Sequence, residues 1–147
     1  MSVSGAFHNP VLVSSIAAWF IAQVLKGVYY FARHRKVDFK RFTGPGGMPS
    51  SHSAFVSSLA VAVGISSGFD STIFALALGF AIIVMYDASG IRHAAGKQAA
   101  VLNKIVDELF HGGRIREDRL RELLGHTPVE VFAGAALGAA VSMILMR

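Results

Sequence analysis

Four stretches of this 147-residue chain are apolar over nearly the length that an α-helix needs to cross a membrane. The hydrocarbon core is about 30 Å thick and takes ~17 to 25 helical residues. Residues 10–32, 53–69, 71–87 and 128–146 are the predicted crossings. With 53% hydrophobic and only 16% charged residues, a chain carrying four such runs has too little polar surface for an ordinary soluble domain. The expected fold is therefore all-α: one membrane domain over residues 1–147, an integral helical bundle with four transmembrane helices. The middle two runs are short and need polar flanks at the interface or a locally thin bilayer. Lys26, near the end of the first run, is expected to snorkel to the interface. No cysteine is present, which excludes disulfides, thiolate chemistry and Cys-based zinc sites.

The net charge of +5 is sorted along the chain rather than spread over it. Lys26, Arg33, Arg35, Lys36, Lys40 and Arg41 lie around the first connection, and Arg92, Lys97, Lys104, Arg114, Arg116, Arg119 and Arg121 lie in the third. The segment before Pro10 and the turn "SSGFD" contain no Lys or Arg, so basic charge alternates with each crossing. The positive-inside rule then puts both basic connections in the cytoplasm and both termini outside, in an inner or plasma membrane. With the basic residues explained by topology, no nucleic-acid partner is expected. The first run lacks a basic segment ahead of it, so it is not read as a cleaved signal peptide.

The third connection has structure of its own. In residues 92–110, Val101, Leu102, Ile105, Val106 and Leu109 recur at helical spacing, with Lys104, Asp107 and Glu108 off that stripe. That predicts a cytoplasmic amphipathic helix, lying on the membrane surface or packed across the bundle. "HGGR" breaks it, and a short charged helix from about Glu117 to Leu124 is expected to end at Gly125.

Under this topology the polar residues of the apolar runs reach one level. His52 begins the second crossing, Asp87 and Arg92 end the third, and His126 and Glu130 begin the fourth. Intramembrane ionisable groups are costly, and their convergence marks a site at the inner interface. His126 and Glu130 are four apart, which puts them on one helix face. A carboxylate there can hold an imidazole N–H and leave the other nitrogen free to attack, or it can simply favour the start of a helix. In "GGMPSSHSA", Gly46 and Gly47 allow close approach of the chain, Pro49 suits a first helical turn, and Ser50 and Ser51 add hydroxyls and backbone N–H groups. Such a helix start is an anion site, although Ser and Pro also cap helices without any ligand. The preceding "KVDFKR" supplies Lys40 and Arg41 as cations, and His52 supplies a proton near neutral pH. Arg92 fits either a bidentate phosphoryl contact or a positive-inside anchor. Asp87 can pair with Arg92 or Lys97, orient a histidine, or cap a helix.

At these residues the chain resembles the type 2 phosphatidic acid phosphatase superfamily, which also contains acid phosphatases and vanadium haloperoxidases, and most closely its small divergent membrane branch. "PSSH" at Pro49–His52 is similar to the family's PSGH motif, and "HTPVEVFAGAALG" from His126 is similar to its third motif. The resemblance implies that His126 is the nucleophile, Glu130 its orienting carboxylate and His52 the acid that protonates the leaving alkoxide, with Ser50 and Ser51 on phosphate oxygens. Ser51 stands where the pattern has Gly, and Glu130 where it has Asp. The first motif, a Lys followed by Arg-Pro, has only Lys36, Lys40, Arg41 and Pro45 as material. Leu120 occupies the position of a motif Arg, so Arg92, Arg119 or Arg121 must substitute. The family has about six membrane helices, and four here imply an oligomer or a reduced core.

The expected function is a lipid or prenyl phosphate phosphatase without metal or other cofactor, acting through phosphohistidine at the cytoplasmic interface. One rival is a non-catalytic membrane module, a small transporter or assembly subunit that binds anionic lipid. In it, "GAALG" at Gly134–Gly138 packs helices. A second rival is a metal hydrolase with His52, Asp87, His126 and Glu130 as ligands.

Overall fold

The computed structural model describes Gly5 and residues 8–35, 47–89, 98–106 and 126–147. Four helices form the bundle: α1 (Pro10–His34), α2 (Ser51–Ser67), α3 (Thr72–Ser89) and α4 (Pro128–Leu145). Each starts where its sequence offers a cap. Asn9 Oδ1 accepts the N–H of Val11 at 3.0 Å, Ser50 Oγ that of Ser53 at 3.4 Å, Ser71 Oγ that of Phe74 at 3.2 Å and Thr127 Oγ1 that of Glu130 at 3.4 Å. Gly68, at φ 93°, ends α2 in a conformation that L-residues with a side chain rarely adopt.

α1, α3 and α4 are long and apolar enough to cross a membrane. α2 has 17 residues, or about 25 Å of rise, which is short of the core thickness. It begins at Ser51 and not Ser53, because Ser50 is its cap, and it ends two residues before the expected Phe69. Ten of its residues are buried, and it lies at the centre of the bundle against the other three helices.

The contact that holds the centre is a parallel pairing of α2 with α4 in constant register. Gly134 lies on the carbonyl of Ser50, and Gly138 on the carbonyl of Ala54 and the hydroxyl of Ser57; a Cβ at either glycine would collide with those atoms. One turn further on, Ser58 Oγ and Ser142 Oγ are 2.6 Å apart, and the Ser142 hydroxyl also donates to the Ser58 carbonyl at 2.8 Å. Ser57 Oγ donates to Ala135 O at 2.9 Å. Each step advances four residues on both helices, so small residues face small residues along the whole seam. Without a hydrophobic drive between helices in lipid, such close backbone approach and interhelical hydrogen bonds supply the cohesion. "GAALG" is thus a packing motif.

The interior is built from small and hydroxyl-bearing side chains. Ser14, Ser15, Ala18, Ala22, Ala54, Ser58, Ala62 and Ser142 are all nearly inaccessible, whereas Phe20, Leu76, Ile83, Phe132 and Ile144 face outward. In water that outward surface would be an aggregation-prone patch; against hydrocarbon it is matched. Lys26 departs from its expected position. It is 4% exposed, on the same inward stripe as Ala18 and Ala22, and so does not lie along the lipid surface.

Residues 98–106 of the expected 92–110 helix are helical, and the remainder of that range lies outside the described residues. Ala99 and Asn103 are its buried side, and Val101, Leu102, Ile105 and Val106 are exposed. Its apolar stripe is therefore exposed, and a small side chain and an amide form its buried side. The expected helix from Glu117 to Leu124 lies outside the described residues.

Replacing Gly138 by Val should force α2 and α4 apart and destabilise the fold by about 3 kcal/mol. Ser58→Ala should cost about 1 kcal/mol, the scale of a membrane interhelical hydrogen bond. Unfolding of the purified protein in mixed micelles by graded addition of SDS measures both.

Candidate functional site

The parallel register has a consequence at one end of the bundle: α2 and α4 begin side by side. The Ser50 N–H donates to the Glu130 carbonyl at 3.0 Å, and the His126 N–H donates to the Ala88 carbonyl at 3.0 Å. Those two backbone bonds tie the loop before α2 to the first turn of α4, and the start of α4 to the last turn of α3. Two helix N-termini therefore converge, each carrying roughly half a positive charge from its first-turn N–H groups.

His52 and His126 meet at this end. Their ring centroids are 6.1 Å apart with an interplanar angle of 84°, an edge-to-face pair. His126 is 2% exposed, ahead of Thr127 and α4. His52, one residue into α2, is exposed. One imidazole is thus enclosed by protein, while its neighbour remains accessible.

Lys26 brings a cation from α1. Gly47 has φ 95°, and a Cβ placed there would be 2.8 Å from Lys26 Cε and 3.3 Å from Cγ. The lysine stem therefore lies on the backbone of the loop that leads into α2, and only glycine leaves room for it. Sequence reasoning took Lys26 for an interfacial anchor. The available signal was its position four residues beyond Ala22 and eight beyond Ala18, on a stripe of small residues that in a membrane bundle faces inward.

The other expected residues divide. Ser50 is buried, and its hydroxyl accepts both the N–H and, at 3.1 Å, the O–H of Ser53; it serves first as a helix cap. Ser51 is also buried, at 3% exposure. Glu130 Oε2 accepts the Thr127 N–H at 3.0 Å and closes a capping box, so the carboxylate fixes the backbone directly after His126. Asp87 is half-buried beside Ala88, whose carbonyl receives the His126 N–H. Lys40, Arg41, Arg92 and Lys97, with Arg119 and Arg121, lie outside the described residues. Among the described residues, His52, Asp87, His126 and Glu130 do not assemble into a metal-holding group of three or more ligands.

A family model described as the divergent PAP2 family matches residues 7–141, and so spans nearly every element above. The chain belongs to the divergent PAP2 family. A relative from Bacillus subtilis (strain 168), named uncharacterized membrane protein YuiD, is 41% identical over 148 residues, covering 93% of this chain and 94% of its own. No solved structure matches. The match to the divergent PAP2 family runs through the stretches that carry both His52 and His126.

Gly47→Ala should add a methyl group in the space of the lysine stem and displace Lys26 from the loop. Labelling of Lys26 by a membrane-permeant amine reagent, read by peptide mass spectrometry, should then rise well above the wild-type level.

Proposed function

We propose that this protein hydrolyses a lipid or prenyl phosphomonoester through a phosphohistidine formed on His126. The observation that carries this reading is the meeting of His52 and His126, from opposite halves of the sequence, at 6.1 Å between two converging helix N-termini. A phosphate bound there would face helix dipoles and Lys26, which favour its negative charge.

In the first step a nitrogen of His126 attacks phosphorus, the P–O bond to the alcohol breaks, and His52 gives its proton to the departing alkoxide. In the second, His52 takes a proton from water as the water attacks phosphorus. The P–N bond breaks, inorganic phosphate leaves and both imidazoles return to their starting states. Glu130 acts through the capping box, holding the turn that presents His126. Ser51 and the first-turn N–H groups of α2 hold phosphoryl oxygens, with Arg92, Lys40 and Arg41 as further cations supplied by the basic connections. Asp87 and Lys97 support that ring of charge.

α2 completes the membrane crossing as a fourth span sheltered by the other three. The positive-inside pattern favours a cytoplasmic site and outside termini. A site at the interface reaches the headgroup of a lipid whose tails stay in the bilayer, which favours a lipid over a soluble phosphate.

The test is phosphate release by purified protein from a panel of lipid and prenyl phosphates. His126→Ala should abolish release at unchanged expression. His52→Gln should lower it by about a hundredfold or more, the scale of a lost general acid. Lys26→Met should lower it by about a hundredfold, as for one lost electrostatic contact in a closed site. EDTA should leave the rate unchanged and vanadate should inhibit. Undiminished turnover in His126→Ala would return the protein to the class of non-catalytic lipid-binding modules.

A further inference from the structure

His52 belongs to a second feature. It lies in the wall of a cleft of about 420 Å³ between α1, α2 and α3, whose other walls include Ile16 and Trp19 of α1, Phe55 of α2, and Phe80 and Val84 of α3. The volume is in the range of small-molecule sites. Apart from the imidazole, these walls are hydrocarbon and aromatic. The cleft also borders the lipid-facing surface, where Trp19 is 41% and Phe80 52% exposed.

Its direction can be read from the helices. Lys26 marks the level of the candidate site on α1, and Ile16 is ten residues back along that helix, or about 15 Å deeper. On α3, Phe80 is nine residues before Ser89, a depth of about 13 Å. The cleft thus runs from His52 to roughly the middle of a 30 Å hydrocarbon core, parallel to the lipid tails. Polar recognition is concentrated at one end, and the rest offers only apolar contact. An anionic head joined to one extended hydrocarbon chain has the matching distribution.

We propose that this cleft holds the alkyl chain of the phosphate ester, entering sideways from the bilayer between α1 and α3, with the ester oxygen left beside His52. The proposal rests on the phosphatase reading and adds where the chain sits and what selects it. Contacts along the cleft hold the ester in register with His52, so chain length enters the rate through positioning.

The experiment compares hexadecyl phosphate with butyl phosphate as substrates of the protein in phosphatidylcholine vesicles. Val84→Trp and Ile16→Trp, which fill the cleft away from the histidines, should lower hexadecyl phosphate hydrolysis by about tenfold or more while butyl phosphate hydrolysis changes less than about twofold. Equal loss with the two substrates, or no loss with either, overturns the proposal. A hexadecyl phosphate bearing a mid-chain diazirine supplies a readout that does not need turnover. It should label peptides containing Trp19, Phe55 or Phe80, in competition with unlabelled hexadecyl phosphate and less in Val84→Trp. Label confined to other peptides overturns the cleft. If the wild-type protein cleaves neither ester, the phosphatase reading falls and the labelling alone decides the cleft.

Discussion

The close approach of α2 and α4 is the constraint on which the other features depend. Gly134 and Gly138 sit on the carbonyls of Ser50 and Ala54, and the Ser58–Ser142 hydroxyl pair continues the same four-residue step. In lipid, large apolar side chains gain nothing by turning inward, because hydrocarbon awaits them on the outside as well. Cohesion comes from backbone proximity and from hydrogen bonds that have no water to compete with them. A seam of Gly, Ala and Ser provides both, and it encloses a 17-residue helix that the other three shelter.

That seam also forms the candidate site. Parallel helices in fixed register begin at the same depth, so the residues just inside α2 and just ahead of α4 are neighbours. The Ser50–Glu130 and His126–Ala88 backbone bonds then lock the two starts to each other and to α3. Packing and helix capping share residues here: Ser50 caps α2 and supports Gly134, and Glu130 caps α4 and receives the Ser50 N–H through its carbonyl. A substitution at Ser50 or Glu130 therefore changes the bundle and the histidine pair together.

Much of this was legible along the chain. The runs of apolar residues placed the four helices to within about two residues at each end, apart from the fray that any helix end shows. His52 and His126 stood out because a titratable group at the start of an apolar helix is costly and needs a reason. Lys26 was misread for the complementary cause. A lysine near the end of an apolar run has two solutions, a stem laid outward to the interface or an inward turn among small residues. Only the stripe of Ala18 and Ala22 distinguishes them. Ser50 was likewise open between capping and a phosphate contact, and Glu130 between a helix start and holding an imidazole; hydrogen-bond geometry gives both a capping role.

By itself the sequence determined that the chain is a helical membrane protein, where its four long helices begin to within about two residues, and that histidines stand close to two of those beginnings. Hydrophobicity and capping are local, and a linear chain displays them. Which helix pairs with which, and in what register, was decided only in three dimensions. Glycine and serine carry no mark of their partner until two backbones come close enough to exclude a Cβ. The inward turn of Lys26, the 6.1 Å histidine pair and the cleft beside His52 all follow from that pairing.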